Sequence, residues 1–315
     1  MPRIPDKPLQ GVAFLYPTED DALKNARLGG TGFIVSKKFE RVSTKLGYPA
    51  YCPYMVSCRH VVWTGGSSVM RWNRRDGGTR ILGSEPTDWT EHPDGDDLVA
   101  LNLFNYVDMV RDHLSSVPTH DFITSERALA LELGVGDEVV MIGRFLNHQG
   151  RGVIKPAVRF GSISMMPEPV WNKAINAVQL SYAVEMRSRT GFSGAPVSVY
   201  RTPATILSER TVETFWGVLG VCWGYIVDPE DGENSWLNGV IPAWKVLELL
   251  ETQAMTKRHD EIDKNLVSQA EVEGGAEPAV ATIETDKTKK GANPDHKEDF
   301  TALLHAAAKT KKQGD

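Results

Sequence analysis

The sequence predicts a mainly β chain of two successive β-rich halves, a closing helix and a polar tail. Three observations predict it. Short apolar, β-branched runs bounded by glycines recur from Val12 to Trp223, the loose internal repeat that a duplicated β unit would leave. One amphipathic stretch, Ala243–Leu250, follows them. Beyond Thr252 the composition turns charged and nearly free of aromatics.

After an N-terminal extension over 1–10, the first half reads as a six-stranded unit. Val12–Tyr16 and Thr31–Val35 are strands, and Tyr54-Met-Val-Ser-Cys-Arg-His-Val-Val62 is a strand ending in a histidine. Val69–Trp72 and Thr79–Leu82 form a hairpin-like pair around the Asp76-Gly-Gly turn, and Leu98–Leu103 closes the unit. A linker around Ser115–Ser125 leads to the second half. There Glu138–Gly143, Val158–Ser164, Val178–Val184, Ala195–Val199 and Trp216–Trp223 supply strands.

With 315 residues, 41% hydrophobic and 24% charged, the chain can bury one large core or two small ones. A net charge of −6 argues against nucleic acid or an anionic membrane surface as a partner. Met1–Pro8 lacks the apolar segment of a signal peptide, and nowhere do about 18 apolar residues run together. A cytoplasmic location is expected. Three cysteines, Cys52, Cys58 and Cys222, fit no zinc spacing and read as free thiols, with Cys58 a small buried hydrophobe. His92, His113, His120 and His148 form no spaced ligand set and read as surface or loop histidines, so no metal or cofactor is predicted.

The chemistry concentrates in Glu185-Met-Arg-Ser-Arg-Thr-Gly-Phe-Ser-Gly-Ala-Pro-Val-Ser-Val-Tyr200. Ser193 stands there between the glycines Gly191 and Gly194 and reads as a nucleophile. A serine hydroxyl attacks acyl carbon only if a base takes its proton and donors hold the oxyanion. Gly191 and Ser193 can supply two backbone N–H donors, while Gly194 and Ala195 let another backbone come close. His60 is the candidate base. Asp96 and Asp97, at the mouth of the Leu98–Leu103 run, are the candidate acids.

The order His60, aspartate, Ser193 resembles the trypsin-like (chymotrypsin-fold) serine peptidases, specifically the bacterial trypsin-like peptidase domains. The resemblance spans roughly Gly11 to Glu251. It extends to Gly30-Thr-Gly-Phe-Ile-Val35, Gly136-Asp-Glu-Val-Val-Met-Ile-Gly143, Cys222-Trp-Gly224 and Gly239-Val-Ile-Pro242. It implies two six-stranded antiparallel β-barrels, a chymotrypsin-like double barrel over about 11–115 and 120–252, with the site between them. It favours Asp97 over Asp96, because Asp97 directly precedes the apolar run as the family's triad aspartate does. The implied activity is a serine endopeptidase acting on polypeptides through an acyl-enzyme, with His60, Asp97 and Ser193 as triad and the Gly191 and Ser193 amides as oxyanion hole.

A nucleophile elbow of an α/β-hydrolase fits poorly. That fold needs helices before the serine and a histidine after it, and the later histidines, His259, His296 and His305, lie in the polar tail. A binding or scaffold module on the peptidase fold is the other class carried forward. Phe192 replaces the aspartate that pairs with a freed N-terminus in secreted relatives, so the site is expected to form without such processing. The resemblance places the specificity pocket at Arg187, Trp223, Gly224 and Gly239, with the glycines as open walls. Either Arg187 turns inward and favours acidic side chains, or it turns to solvent and leaves an apolar pocket around Met186 and Val240.

The stretch 253–294 is expected to be a disordered linker. Asp295-His-Lys-Glu298 has capping-box spacing, with Phe300, Leu303, Leu304 and Ala307 following at helical spacing. Two expectations stand for 295–315: a short helix that docks on a partner protein or on the peptidase itself, or a mostly frayed tail.

Overall fold

A strand that is apolar at every position must be covered on both faces, and β1 (Val12–Tyr16) is the clearest instance in this computed structural model. Residues 4, 6–27, 29–74, 77–107, 115–144, 153–187, 190–201, 215–227 and 234–273 are described. Successive side chains of a strand point to opposite faces. Ala13 and Leu15 enter one core cluster, while Val12, Phe14 and Tyr16 enter another.

β2 (Thr31–Phe39), β3 (Ala50–Ser57), β4 (Val69–Asn73), β5 (Thr79–Leu82), β6 (Thr90–Glu91) and β7 (Val99–Asn102) pair with β1 in the order β5-β4-β1-β2-β3-β7-β6. A short parallel strand, β8 (Val117–Pro118), lies beside β2. The second sheet consists of β9 (Glu138–Gly143), β10 (Ala157–Asn172), β11 (Ala177–Glu185), β12 (Ala195–Arg201), β13 (Phe215–Val227) and β14 (Asn234–Pro242). These pair in a ring, β10-β11-β14-β13-β12-β9, with β9 returning to β10. β9 repeats the two-faced pattern of β1: Val139 and Met141 enter the core of the ring, and Val140 and Ile142 meet Phe14 and Tyr16 in the seam between the sheets.

Two six-stranded barrels are thus met in part. The second sheet is a ring of six, whereas the first has eight strands whose pairing path does not return on itself. The strand expected over Tyr54–Val62 ends at Ser57. β10 runs eight residues past its expected end at Ser164 and turns back as β11, a long hairpin.

Six helices flank the sheets among the described residues: α1 (Asp6–Gln10), α2 (Glu19–Lys24), α3 (Glu40–Leu46), α4 (Ser125–Ala130), α5 (Ala243–Leu250) and α6 (Gln253–Glu273). The closing helix falls where its amphipathic pattern predicts, burying Ala243, Val246, Leu249 and Leu250. The linker expected over 253–294 is corrected in its first part, because residues 253–273 form α6. Met255, His259, Ile262 and Leu266 recur at intervals of four and three and make one narrow buried or half-buried stripe on a polar helix. The rest of the linker, the 295–315 helix, the residue Asp76 of the predicted turn, and His113 and His148 lie outside the described residues. No described helix is long and apolar enough to cross a membrane.

α6 also completes α3. The first amides of a helix lack intrahelical acceptors, and the residue before α3, Phe39, has no side chain to cap them. Asp263 does so from α6, with its two carboxylate oxygens accepting the Arg41 and Val42 amides at 2.9 and 2.8 Å. His259 stacks on Phe39, with ring centroids 4.7 Å apart. Its Nδ1 lies 2.9 Å from the Tyr54 hydroxyl, and its Nε2 lies 3.2 Å from the Lys38 carbonyl. A carbonyl can only accept, so Nε2 carries the proton and Nδ1 accepts from Tyr54.

Asp263→Ala should lower the unfolding free energy by about 1–2 kcal/mol, the weight of a lost helix cap, as read from the urea midpoint. Burial, then Lys37, hold the His259 imidazole below its ordinary 6.5. The unfolded chain then takes up the proton first. The His259 contribution should be full above about pH 6.5 and decline as the pH falls below it. In His259→Gln this acid-side decline of the melting temperature should be shallower.

Candidate active site

His60 does not end a strand. Two residues after β3 the backbone enters a single π-helical turn over His60–Thr64, in which the Cys58 carbonyl accepts the Val61 and Val62 amides at 3.2 and 3.3 Å. The turn sets His60 beside Asp97, which is wholly buried. One Asp97 oxygen accepts the His60 amide at 2.8 Å, and the other lies 2.6 Å from His60 Nδ1. Of the two aspartates, Asp97 is the one in contact with His60. Asp96 is buried as well, not the exposed neighbour its polar loop suggests, and its carboxylate faces His92 Nδ1 at 3.3 Å and the Lys245 ammonium at 3.5 Å.

Two contacts to Asp97 come from the other sheet and have no signal in the motif pattern. Asn172 donates its side-chain amide to the same oxygen that meets His60 Nδ1, at 3.1 Å. Gln179 accepts the Asp97 backbone N–H at 2.9 Å.

The Ser193 loop is shaped by positive φ at Gly191 (+104°) and Gly194 (+86°). A side chain at Gly194 would overlap the Thr31 carbonyl and crowd the Ser57 hydroxyl. Thr31, fully buried at the start of β2, ties the loop down. Its amide donates to the Ser193 carbonyl at 2.8 Å, and its hydroxyl donates to the Gly191 carbonyl at 2.7 Å while accepting the Arg144 amide at 2.9 Å. Gly30, next to it, lies so close to Val61 and to the Ser193 carbonyl that a Cβ would strike both. The Gly30-Thr-Gly motif therefore does a second job, bringing the His60 turn and the Ser193 loop against one another.

The amides of Gly191 and Ser193 donate to no acceptor among the described residues, as an oxyanion site requires. The Ser193 hydroxyl donates to the Trp223 carbonyl at 3.2 Å rather than to His60, and His60 Nε2 has no hydrogen-bond partner among the described residues. The His–Asp half of the arrangement is assembled; the serine lies in the same seam with its hydroxyl turned elsewhere.

The expected pocket is altered. Arg187 is exposed, so of the two arrangements left open the outward one is present. Gly239 is not an open wall: a Cβ there would fall inside the indole of Trp223, which is buried with its Nε1 donating to Ser181 at 3.0 Å. Only Gly224 of the pair has free space beside it. Met186 and Val240 are buried in the core of the ring.

All three cysteines are free and buried. Burial pushes the Cys52 and Cys222 thiols up to about 12, and burial, then Asp97 and Cys222, hold Cys58 well above its ordinary range. Cys58 donates to the Cys222 carbonyl at 3.3 Å, which also accepts the Gly194 amide at 2.7 Å. His120 is exposed, and His92 lies in a loop but is buried rather than on the surface. Burial holds its imidazole low against the pull of Asp96. Asp94 and Glu248 stand near enough to share a cation with it, and that place is taken by Lys245, whose ammonium lies 2.9 Å from Glu248 and 3.2 Å from Asp94.

No protein-family model matches the chain, and no curated protein matches it. Solved structures of similar fold are trypsin-like serine protease domains of the HtrA/Deg type. The MamO protease domain from Magnetospirillum magneticum, in its apo form, is 13% identical, with 76% of this chain and 96% of that chain covered and a TM-score of 0.47. Deg5 is 16% identical, with 77% and 88% covered and a TM-score of 0.43. The Rv3671c protease of M. tuberculosis, in an inactive form, is 17% identical, with 78% and 88% covered and a TM-score of 0.41. At these values the likeness concerns the strand arrangement, and the chemistry rests on the site's own geometry.

Because the thiols are buried and held protonated, iodoacetamide at pH 8 should leave all three unmodified in the folded protein and label them after urea unfolding. Mass spectrometry reads the difference, and labelling of Cys58 without unfolding would contradict the burial described. Gly239→Ala should destabilise the fold by about 1–3 kcal/mol, because the indole beside it has to move.

Proposed function

We propose that this protein is a serine endopeptidase that cleaves polypeptides through an acyl-enzyme. The observation that carries the reading is the grip of a water-excluded Asp97 on both the amide and the Nδ1 of His60, which leaves Nε2 as the base. Proton on Nδ1, lone pair on Nε2: that is the tautomer general-base catalysis needs, and the buried carboxylate stabilises the imidazolium formed when the proton arrives.

In the proposed reaction the Ser193 hydroxyl leaves the Trp223 carbonyl, gives its proton to His60 Nε2 and attacks the scissile carbonyl. The Gly191 and Ser193 amides take the oxyanion. His60 returns the proton to the leaving amine, and a water deprotonated by His60 releases the acid. With Arg187 in solvent and the Trp223 indole against Gly239, the side chain before the scissile bond meets an apolar, shortened pocket suited to small or medium residues.

A second reading, a binding module on a peptidase fold, is favoured by the Ser193 hydroxyl donating to Trp223 instead of His60. A fluorophosphonate probe separates the two. The enzyme labels at Ser193, and Ser193→Ala abolishes it; the module does not label at all. For the enzyme, His60→Ala should slow acylation by about 10²–10⁴. A positional peptide library should show small and medium apolar preference, widened to bulkier residues in Trp223→Ala. Strong cleavage after Lys or Arg would overturn this view of the pocket.

A further inference from the structure

The β10–β11 hairpin belongs to the second sheet, yet its far end reaches the acid of the first. Across it Val170 faces Gln179, Trp171 faces Val178 and Asn172 faces Ala177. Alternation along the ribbon sorts these residues. Trp171 and Val178 are exposed on one face, while Val170 packs on the core cluster of the first sheet and Asn172 and Gln179 are buried on the other. Both buried amides end on Asp97. Asn172 Nδ2 reaches the carboxylate oxygen that also takes His60 Nδ1, and Asn172 Oδ1 is itself fixed by the Ala174 amide at 2.9 Å. Gln179 Oε1 takes the Asp97 N–H.

We propose that Asn172 and Gln179 are positioning residues for Asp97, so that the His60–Asp97 pair is held in register by the opposite sheet and is complete only when the hairpin is seated. The inference rests on the peptidase reading for its kinetic consequence, not for its geometry. Neither residue touches substrate. Asp97 Oδ2 has two donors, and without Asn172 the carboxylate is held by His60 alone and loses the fixed point against which the ring is aimed at Ser193. The other groups facing this carboxylate are His60 and the Cys58 thiol, which burial keeps neutral, while Asp96 turns to His92 and Lys245. Asn172 is therefore the one donor side chain on the Asp97 carboxylate besides His60 among the described residues.

The test uses the full chain with a small activated ester, and nuclear magnetic resonance of the His60 ring. Asn172→Leu keeps the bulk and removes the donor. Acylation should fall about ten- to a hundredfold, the weight of one hydrogen bond to a charged group, with KM within about twofold by the same reckoning, since the lost contact is remote from substrate. The His60 protonation midpoint should rise, because Asp97 loses a group that partly neutralises it. Asn172→Asp has the native shape and guards against a misfolded leucine variant. Its carboxyl donates when protonated and repels Asp97 when ionised, so its deficit relative to native should widen as pH rises. Trp171→Ala, facing solvent, should leave rates and midpoint alone.

A native rate and a native His60 midpoint in Asn172→Leu would overturn the proposal, as would a deficit in Asn172→Asp that is constant with pH. So would equal losses in Asn172→Leu and Trp171→Ala. If the native protein never acylates, the peptidase reading fails, and the His60 midpoint and Nδ1 proton signal in the variants still decide the role of Asn172.

Discussion

A carboxylate taken wholly out of water must be given its hydrogen bonds by the protein, and Asp97 sets this condition for the whole molecule. Its carboxylate partners come from two places: His60 on the π-helical turn after β3, through both its amide and its ring nitrogen, and Asn172 on the hairpin of the other sheet. Neither lies near Asp97 in the chain. The sheets must therefore dock in one register, and the two-faced strands β1 and β9 supply the apolar seam that holds them there. Fully burying a Phe or Ile side chain is worth about 1.5–3 kcal/mol, and Phe14, Ile142 and Val140 meet across that seam beside Tyr16.

The same seam explains a cation with no carboxylate partner among the described residues. Arg144 is wholly buried, with its guanidinium 4.4 Å from the centre of the Tyr16 ring and its Nη1 donating to the Leu15 carbonyl at 3.3 Å. Burial lowers its pKa, and the ring faces and carbonyls of β1 offset part of that penalty. Its backbone amide meanwhile fixes the Thr31 hydroxyl that holds the Gly191 carbonyl. One residue thus links the packing of the seam to the shape of the Ser193 loop.

How much of this was legible in the sequence depended on how local the signal is. Strands whose sides face a core and a seam show as short apolar runs, and α5 shows its stripe. His60, Asp97 and Ser193 announce themselves because each sits in a short motif with its own backbone demands. Asn172, Gln179 and Thr31 act through contacts 75, 82 and 160 residues away in the chain, and an amide or hydroxyl in a strand carries no mark of a distant partner. α6 was obscured for a different reason. A helix that docks by a single stripe of Met255, His259, Ile262 and Leu266 keeps the average composition of a solvated tether. The Trp223 indole on Gly239 could not be foreseen either, since a glycine signals room without saying what fills it.

The docking of α6 on α3 sets an order in time. A ribosome delivers the first sheet early, with α3 emerging more than two hundred residues before the carboxylate that caps it. Until Asp263 arrives, the Arg41 and Val42 amides, the Phe39 ring and the Tyr54 hydroxyl lack their final partners. The first-made sheet is therefore the one finished last, and the second sheet can close its ring while the first still waits for residues 253–273.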